Sequence, residues 1–184
     1  GSCGVIWPEG EVKLVDSERN ESETYGELWV KNPGVTPGYY NLPEVNKERL
    51  VDGWLRTGDL FSRDEEGYFF FRGRTDDMFN SGGENIYPKE VENLLLSHAD
   101  VAEVSVVPAA HDVKGHVPVA MVVLAKGTAT TEEDLKTFTI QNGPPYAHPR
   151  RIVFVDEMPL NGPGKIDRMT VQKRMEEIFS GKAV

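Results

Sequence analysis

Alternation of polar and apolar side chains opens the chain. Glu11-Val12-Lys13-Leu14-Val15-Asp16 and Gly26-Glu27-Leu28-Trp29-Val30-Lys31 each predict a half-buried strand, with an acidic, polar loop from Ser17 to Thr24 between them. Asn32-Pro33-Gly34, Thr36-Pro37-Gly38 and Asn41-Leu42-Pro43 concentrate turn formers, so no long helix fits before Glu44, and Glu44 to Leu50 predicts one short helix. Asp52 to Leu60 reads as an aromatic strand that runs into a Thr57-Gly58-Asp59 turn. Asp64-Glu65-Glu66-Gly67 then makes a hairpin turn into an aromatic strand, Tyr68 to Phe71, suited to packing on both sides.

From Pro88 onward the period changes. Pro88 suits a first helical turn, and Val91, Leu94, Leu95 and His98 follow at helical spacing, which predicts a helix over 88–98. Val101 to Val107 and Val117 to Leu124 are β-branched runs that predict strands, with Ala109 to His116 as a loop between them. Thr131-Glu132-Glu133-Asp134 caps a helix that continues to about Gln141. Prolines 144, 145 and 149 make the stretch from Asn142 to Pro149 irregular. Arg151 to Val155 predicts a strand, Leu160 to Lys165 a turn-rich loop, and Asp167 to Phe179 a closing helix. Leu94, Leu95, Phe138, Met175 and Phe179 are the expected core positions of the helices.

Composition narrows the classes. With 184 residues, 39% of them apolar, the chain can bury a core. A net charge of −10 argues against sequence-independent binding to nucleic acid or to an anionic membrane surface. Cys3 is the single cysteine, so no disulfide closes within the chain, and a cytoplasmic setting is expected. No run reaches the roughly 18 apolar residues that span a bilayer, and no secretory signal is visible. The histidines His111 and His116 lie in a polar loop at a spacing that does not suggest a metal site.

Between the two regimes, Phe71 to Pro88 replaces an aromatic run with charges and paired glycines. Arg74 is a fork donor, and Gly82-Gly83 lets backbone approach a ligand; an ordinary surface turn would read the same way. Lys165 follows Gly162-Pro163-Gly164. The spacing of a phosphate-binding P-loop is not met, because Pro159 and Ile166 occupy two of its required positions. The lysine is either a point charge held out towards a phosphoryl group or one more solvated lysine.

Taken together, Gly53-Trp54-Leu55-Arg56-Thr57-Gly58-Asp59, Gly73-Arg74-Thr75-Asp76-Asp77, Ser81-Gly82-Gly83-Glu84-Asn85-Ile86, Pro88-x-Glu90-x-Glu92 and Pro159 to Lys165 with Arg168 resemble, in order, the motifs of adenylate-forming (AMP-binding) enzymes. Gly26 to Tyr40 is similar to that superfamily's Gly-Glu-Leu…Gly-Tyr-Tyr segment. The resemblance implies a mainly β portion over residues 1–74, the barrel end of a large N-terminal domain whose remainder is missing. It implies a small α+β C-terminal lid domain over 75–184, with a hinge near Asp76. It also implies the C-terminal part of an acyl- or aryl-CoA ligase that uses ATP, a small carboxylic acid and CoA. Mg2+ is expected with the ATP, with no ligand assigned to it here, and the 184 residues alone are expected to be inactive. Two alternatives are an adenylation domain that loads a carrier protein and a non-catalytic module that binds nucleotide or a partner.

By the same resemblance Asp59 and Arg74 hold the nucleotide ribose, Lys165 bridges the substrate carboxylate and the α-phosphate, and Gly82 and Gly83 pass close to the pantetheine of CoA. Tyr146, His148 and Arg150 fall where some aryl-CoA ligases bind the CoA nucleotide. A proline-rich surface loop is the other reading of that stretch.

Overall fold

Strand β5, Trp54–Arg63, is the axis of the first sheet in the computed structural model, which describes residues 1–179. One edge pairs along its length with β3, Tyr25–Lys31, which in turn pairs with β1, Glu11–Val15, and that with the two-residue β2, Glu21–Ser22. The other edge is shared: β4, Leu50–Val51, takes Trp54 and Leu55, and β6, Phe69–Arg74, takes Asp59 to Arg63. All of these pairings are antiparallel. The sheet curls as half a barrel and does not close among the described residues. Helix α1, Pro43–Arg49, has proline in its first turn and Lys47 and Arg49 in its last, where cations suit the helix dipole.

Sequence and structure differ at three points in this unit. Thr57-Gly58-Asp59 is not a turn; β5 runs through it as a bulge, three residues facing Leu28 alone. In the aromatic run, Phe69 is buried while Phe70 and Phe71 are half-buried and Tyr68 is exposed, so the strand has one packed face. Lastly, β6 continues through Gly73 and Arg74, carrying the charged residues of the joint into the sheet.

A separate compact unit begins at Asp77, the first comprising Gly1–Asp76. Strand β7, Phe79–Ser81, and strand β8, Glu84–Ile86, form a hairpin whose turn is Gly82-Gly83. Helix α2, Pro88–Leu96, strands β9, Val101–His111, and β10, Gly115–Leu124, helix α3, Glu132–Asn142, strand β11, Arg151–Phe154, and helix α4, Arg168–Phe179, follow. Strand β10 is central, antiparallel to β9 and to β7 and parallel to β11. The loop expected over Ala109 to His116 is short: β9 extends to His111, opposite Gly115, and only residues 112–114 turn.

Both faces of this sheet are covered, which explains why its strands read as continuous β-branched runs. Val104, Val106, Ala120, Val122 and Ile152 pack under Val91 and Leu95 of α2 and Leu135 of α3. Val107, Ala109, Val119 and Met121 pack on the other face under Val171 and Met175 of α4. Each fully buried valine contributes about 1.5–3 kcal/mol by leaving water. Leu94, Phe138 and Phe179 are half-buried, and Phe179 packs against the second cluster. Within the expected irregular stretch, Pro145–Ala147 makes one 3₁₀ turn.

Candidate nucleotide and phosphoryl site residues

The register of β5 against β6 sets Asp59 opposite Arg74. The Arg74 guanidinium donates from Nη1 to Asp59 Oδ1 at 2.8 Å, and from Nε and Nη2 to the two oxygens of Asp76 at 2.8 and 2.9 Å. That double contact is the fork geometry in which a guanidinium grips a carboxylate. Arg49, at the end of α1, lies 3.8 Å from Asp76. Burial pushes the Asp59 carboxyl up against the pull of Arg74, whereas the hydrogen bonds from Arg74 hold Asp76 below the usual carboxylate range. Three of the residues marked from the sequence therefore form one charged cluster.

Behind this cluster stands a residue that sequence reasoning passed over. Glu27 is only 7% exposed, and its carboxylate accepts from the Gly58 backbone at 3.1 Å, from Trp29 Nε1 at 3.1 Å and from Arg56 Nε and Nη2 at 3.3 and 3.0 Å. Thr57 donates its hydroxyl to the Leu28 carbonyl at 2.7 Å. The Gly58 carbonyl accepts from both the backbone and the hydroxyl of Thr75, at 2.8 and 3.2 Å. Gly58 has φ +76°, a conformation that strains any L side chain, and a Cβ there would lie 2.3 Å from Arg49 Nη1, which would have to move aside.

In the second unit, Gly82 and Gly83 are exposed and both left-handed, with φ +62° and +97°. Gly82 donates to the Lys114 carbonyl at 3.0 Å, and Gly83 donates to Asn80 Oδ1 at 2.9 Å, so the turn is fixed from both sides. His148 and Arg150 are joined: His148 Nδ1 meets the Pro145 carbonyl and Arg150 Nη1 meets His148 Nε2. An Nδ1–H tautomer fits both contacts. Burial and the neighbouring Arg150 cation outweigh the Pro145 carbonyl and push the His148 pKa down. Tyr146 does not join that pair. It lines a cavity of about 220 Å³ with Asn85, Tyr87, Glu90, Leu94 and Asn142, of which only Asn85 and Glu90 fall in the motifs noted above. Burial, helped by the Glu90 charge, raises the Tyr87 phenol.

Lys165 is exposed at the tip of a tied loop. Its backbone donates to Asn161 Oδ1 at 3.0 Å, its carbonyl accepts from Asn161 at 2.8 Å, and Leu160 bridges to Ile166. Its ammonium makes no ion pair among the described residues. Three positions on, Arg168 donates from Nη1 to Glu92 Oε1 at 2.9 Å and from Nη2 to the Val106 carbonyl at 2.9 Å, while Glu92 accepts the Val106 N–H at 3.0 Å. The burial of Glu92 has a sequence signal, because it shares the helical face of Val91 and Leu95. The loop histidines have local uses, His111 accepting from Val113 and His116 stacking edgewise on Phe79. Among the described residues no group of three His, Cys, Asp or Glu is placed to hold a metal, and no helix is long and apolar enough to cross a membrane.

Residues 90–165 match the family described as AMP-binding enzyme C-terminal domain. The chain is 42% identical over 153 residues to a 2-succinylbenzoate–CoA ligase of Bacillus cereus, covering 83% of this chain and 31% of the relative. It superposes on the amide bond synthetase McbA from Marinactinospora thermotolerans with a TM-score of 0.87 at 31% identity, over 95% of this chain and 36% of that one. On the O-succinylbenzoate coenzyme A synthetase of Bacillus subtilis, in complex with AMP, the TM-score is 0.80 at 35% identity, over 93% and 35%. The chain thus spans about a third of the length of these relatives. The family match, the related sequences and the similar folds agree, and the chain belongs to the adenylate-forming, AMP-binding superfamily.

Proposed function

We propose that this chain works within a longer protein as part of an ATP-dependent carboxylic acid:CoA ligase. The observation that carries the reading is the cross-strand pair of Asp59 and Arg74, joined at 2.8 Å on adjacent strands. A carboxylate suits the two hydroxyls of a ribose as acceptor, and a guanidinium beside it reaches hydroxyl and phosphate oxygens together. Two of the relatives are named for CoA ligation and one solved relative holds AMP.

In the first half-reaction a carboxylate oxygen of the acid bonds to the α-phosphorus of ATP, the bond to the bridging oxygen breaks, and pyrophosphate leaves. Lys165 supplies a positive charge to the α-phosphoryl oxygens and the attacking carboxylate, where preorganised charge lowers the barrier most. Its tied loop limits the entropy lost on reaching that position. In the second half-reaction the CoA sulfur bonds to the acyl carbon, the thiol proton is lost, and AMP leaves with the electron pair of the acyl–oxygen bond. Gly82 and Gly83 leave a passage for the narrow pantetheine arm, and Tyr146, His148 and Arg150 are the candidate contacts for the CoA nucleotide. Asp76 is the pivot by which residues from about 75 onward present first Lys165 and then the glycine turn. Mg2+ would arrive with the nucleotide phosphates, with no ligand assigned to it in this chain.

The test uses the full-length protein and a panel of aliphatic and aromatic acids. Acid-dependent exchange of pyrophosphate into ATP, followed by thioester formation with free CoA, is expected. Exchange without thioester formation from CoA would move the acceptor to a carrier protein or an amine, and no exchange with any acid would remove the ligase reading.

A further inference from the structure

Resting on the nucleotide reading of Asp59 and Arg74, we infer that Glu27 is a positioning residue: its buried carboxylate stands in for a sheet hydrogen-bond partner and so fixes the bulge that aims Asp59. Along β3 and β5 the regular register pairs Glu27 with Leu60 and Trp29 with Arg56, which leaves Thr57, Gly58 and Asp59 facing Leu28 alone. A bulge of this size strands backbone groups that a flat ladder would pair. The side chains of β3 and β5 take over the task. Glu27 Oε1 receives the Gly58 N–H, and the Thr57 hydroxyl donates to the Leu28 carbonyl while accepting the Asp59 N–H at 3.1 Å.

Glu27 is itself held in place from three sides. Its second oxygen receives Trp29 Nε1 and two donors from Arg56, and the Arg56 guanidinium lies 5.4 Å from the Trp29 ring centre. A buried carboxylate with that many charge-assisted and neutral donors is a rigid element, since losing any one partner leaves a costly unpaired group. Gly58 passes the constraint on in two directions. Asp59 follows it directly and meets Arg74, and its carbonyl clasps Thr75, the residue after Arg74. Both halves of the proposed ribose-binding pair are therefore one residue from a group tied to Gly58, which Glu27 holds.

A positioning role differs from simple structural support in what it changes. In the full-length protein, calorimetric ATP affinity is expected to fall about tenfold in Glu27→Ala, with the KM of the acid within about twofold of wild type. Glu27→Gln keeps an acceptor for Gly58 but turns an amide donor towards Trp29 and Arg56, so it should recover part of that affinity, and it keeps the measurement possible if the alanine variant does not fold. Asp59→Ala, measured alongside, tests the underlying reading. If Asp59→Ala weakens ATP binding and both Glu27 variants leave it within about twofold, Glu27 does not position the site. Equal losses for ATP and acid, with no recovery in glutamine, would also overturn the inference in favour of structural support. No effect of Asp59→Ala would overturn the nucleotide reading and this inference with it.

Discussion

Glu92 and Arg168 lie 76 positions apart in the chain and meet at 2.9 Å, with the Glu92 side chain only 6% exposed. The same two residues bind the N–H and the carbonyl of Val106, so helix α2, strand β9 and the start of helix α4 are pinned at a single residue. Glu92 is buried, but Arg168 is 36% exposed and Lys89 Nζ lies 3.6 Å from the other Glu92 oxygen, so losing the guanidinium leaves the carboxylate with a weaker cation. Arg168→Ala is therefore expected to destabilise the unit beginning at Asp77 by about 1–2 kcal/mol, measured by denaturant unfolding. A change below about 0.5 kcal/mol would mean that water replaces the guanidinium without cost.

For Lys165 the expectation is the reverse. Its side chain is exposed and makes no ion pair among the described residues, so Lys165→Ala should leave the unfolding midpoint unchanged while acid-dependent pyrophosphate exchange in the full-length protein falls at least about 100-fold. Retained exchange would remove the lysine from the first half-reaction.

The two glycines of the β7–β8 turn separate a fold requirement from a ligand requirement. A Cβ at Gly82 would meet Lys114 Cγ at 3.4 Å, whereas a Cβ at Gly83 meets nothing within 4 Å. Gly83→Ala should thus cost about 1 kcal/mol of stability, from its left-handed backbone alone. Thioester formation is expected to fall far more than adenylate formation in this variant. Equal effects on the two steps would show that the space beside Gly83 is not used by CoA.

The acidic members of the cluster should titrate in a fixed order. Arg74 holds Asp76 below the ordinary carboxylate range, and burial lifts Asp59 above it. For Asp76 the folded state binds its proton less tightly than the unfolded chain does. Its contribution to stability is thus present above about pH 4 and is lost as pH falls through the lower folded value. Carbon-13 titration of the two carboxyls should give a lower midpoint for Asp76 than for Asp59, and Arg74→Met should bring Asp76 back up. A reversed order would mean that the fork contact does not persist in solution.

Much of the second unit was legible because burial on both faces of a sheet writes an unbroken apolar run, as in Val117 to Leu124. The limits of β9 and β10 were not, because half-buried His111 and exposed His116, flanking the turn of the hairpin, look like loop residues. Around the candidate site, Asp59, Arg74, Asp76 and Lys165 stood out through motif order. Glu27 was hidden by its own regularity: in an alternating strand a glutamate marks the wet face, and here buried Trp29 on that face and Arg56, 29 positions away, enclose it. The cavity beside Tyr146 was equally invisible, since it arises where α2 and the turn after α3 meet.

The clasp of Thr75 on Gly58 has a mechanical meaning. Thr75 is anchored through both its amide and its hydroxyl, and Arg74 is committed to the sheet by its backbone and to two carboxylates by its side chain. The chain is thus clamped up to the residue before the division between Asp76 and Asp77. If Asp76 is the pivot proposed above, a swivel there would draw on the torsion angles of one or two peptide units rather than on a slack tether, and a single substitution at Asp76 would change which positions it reaches.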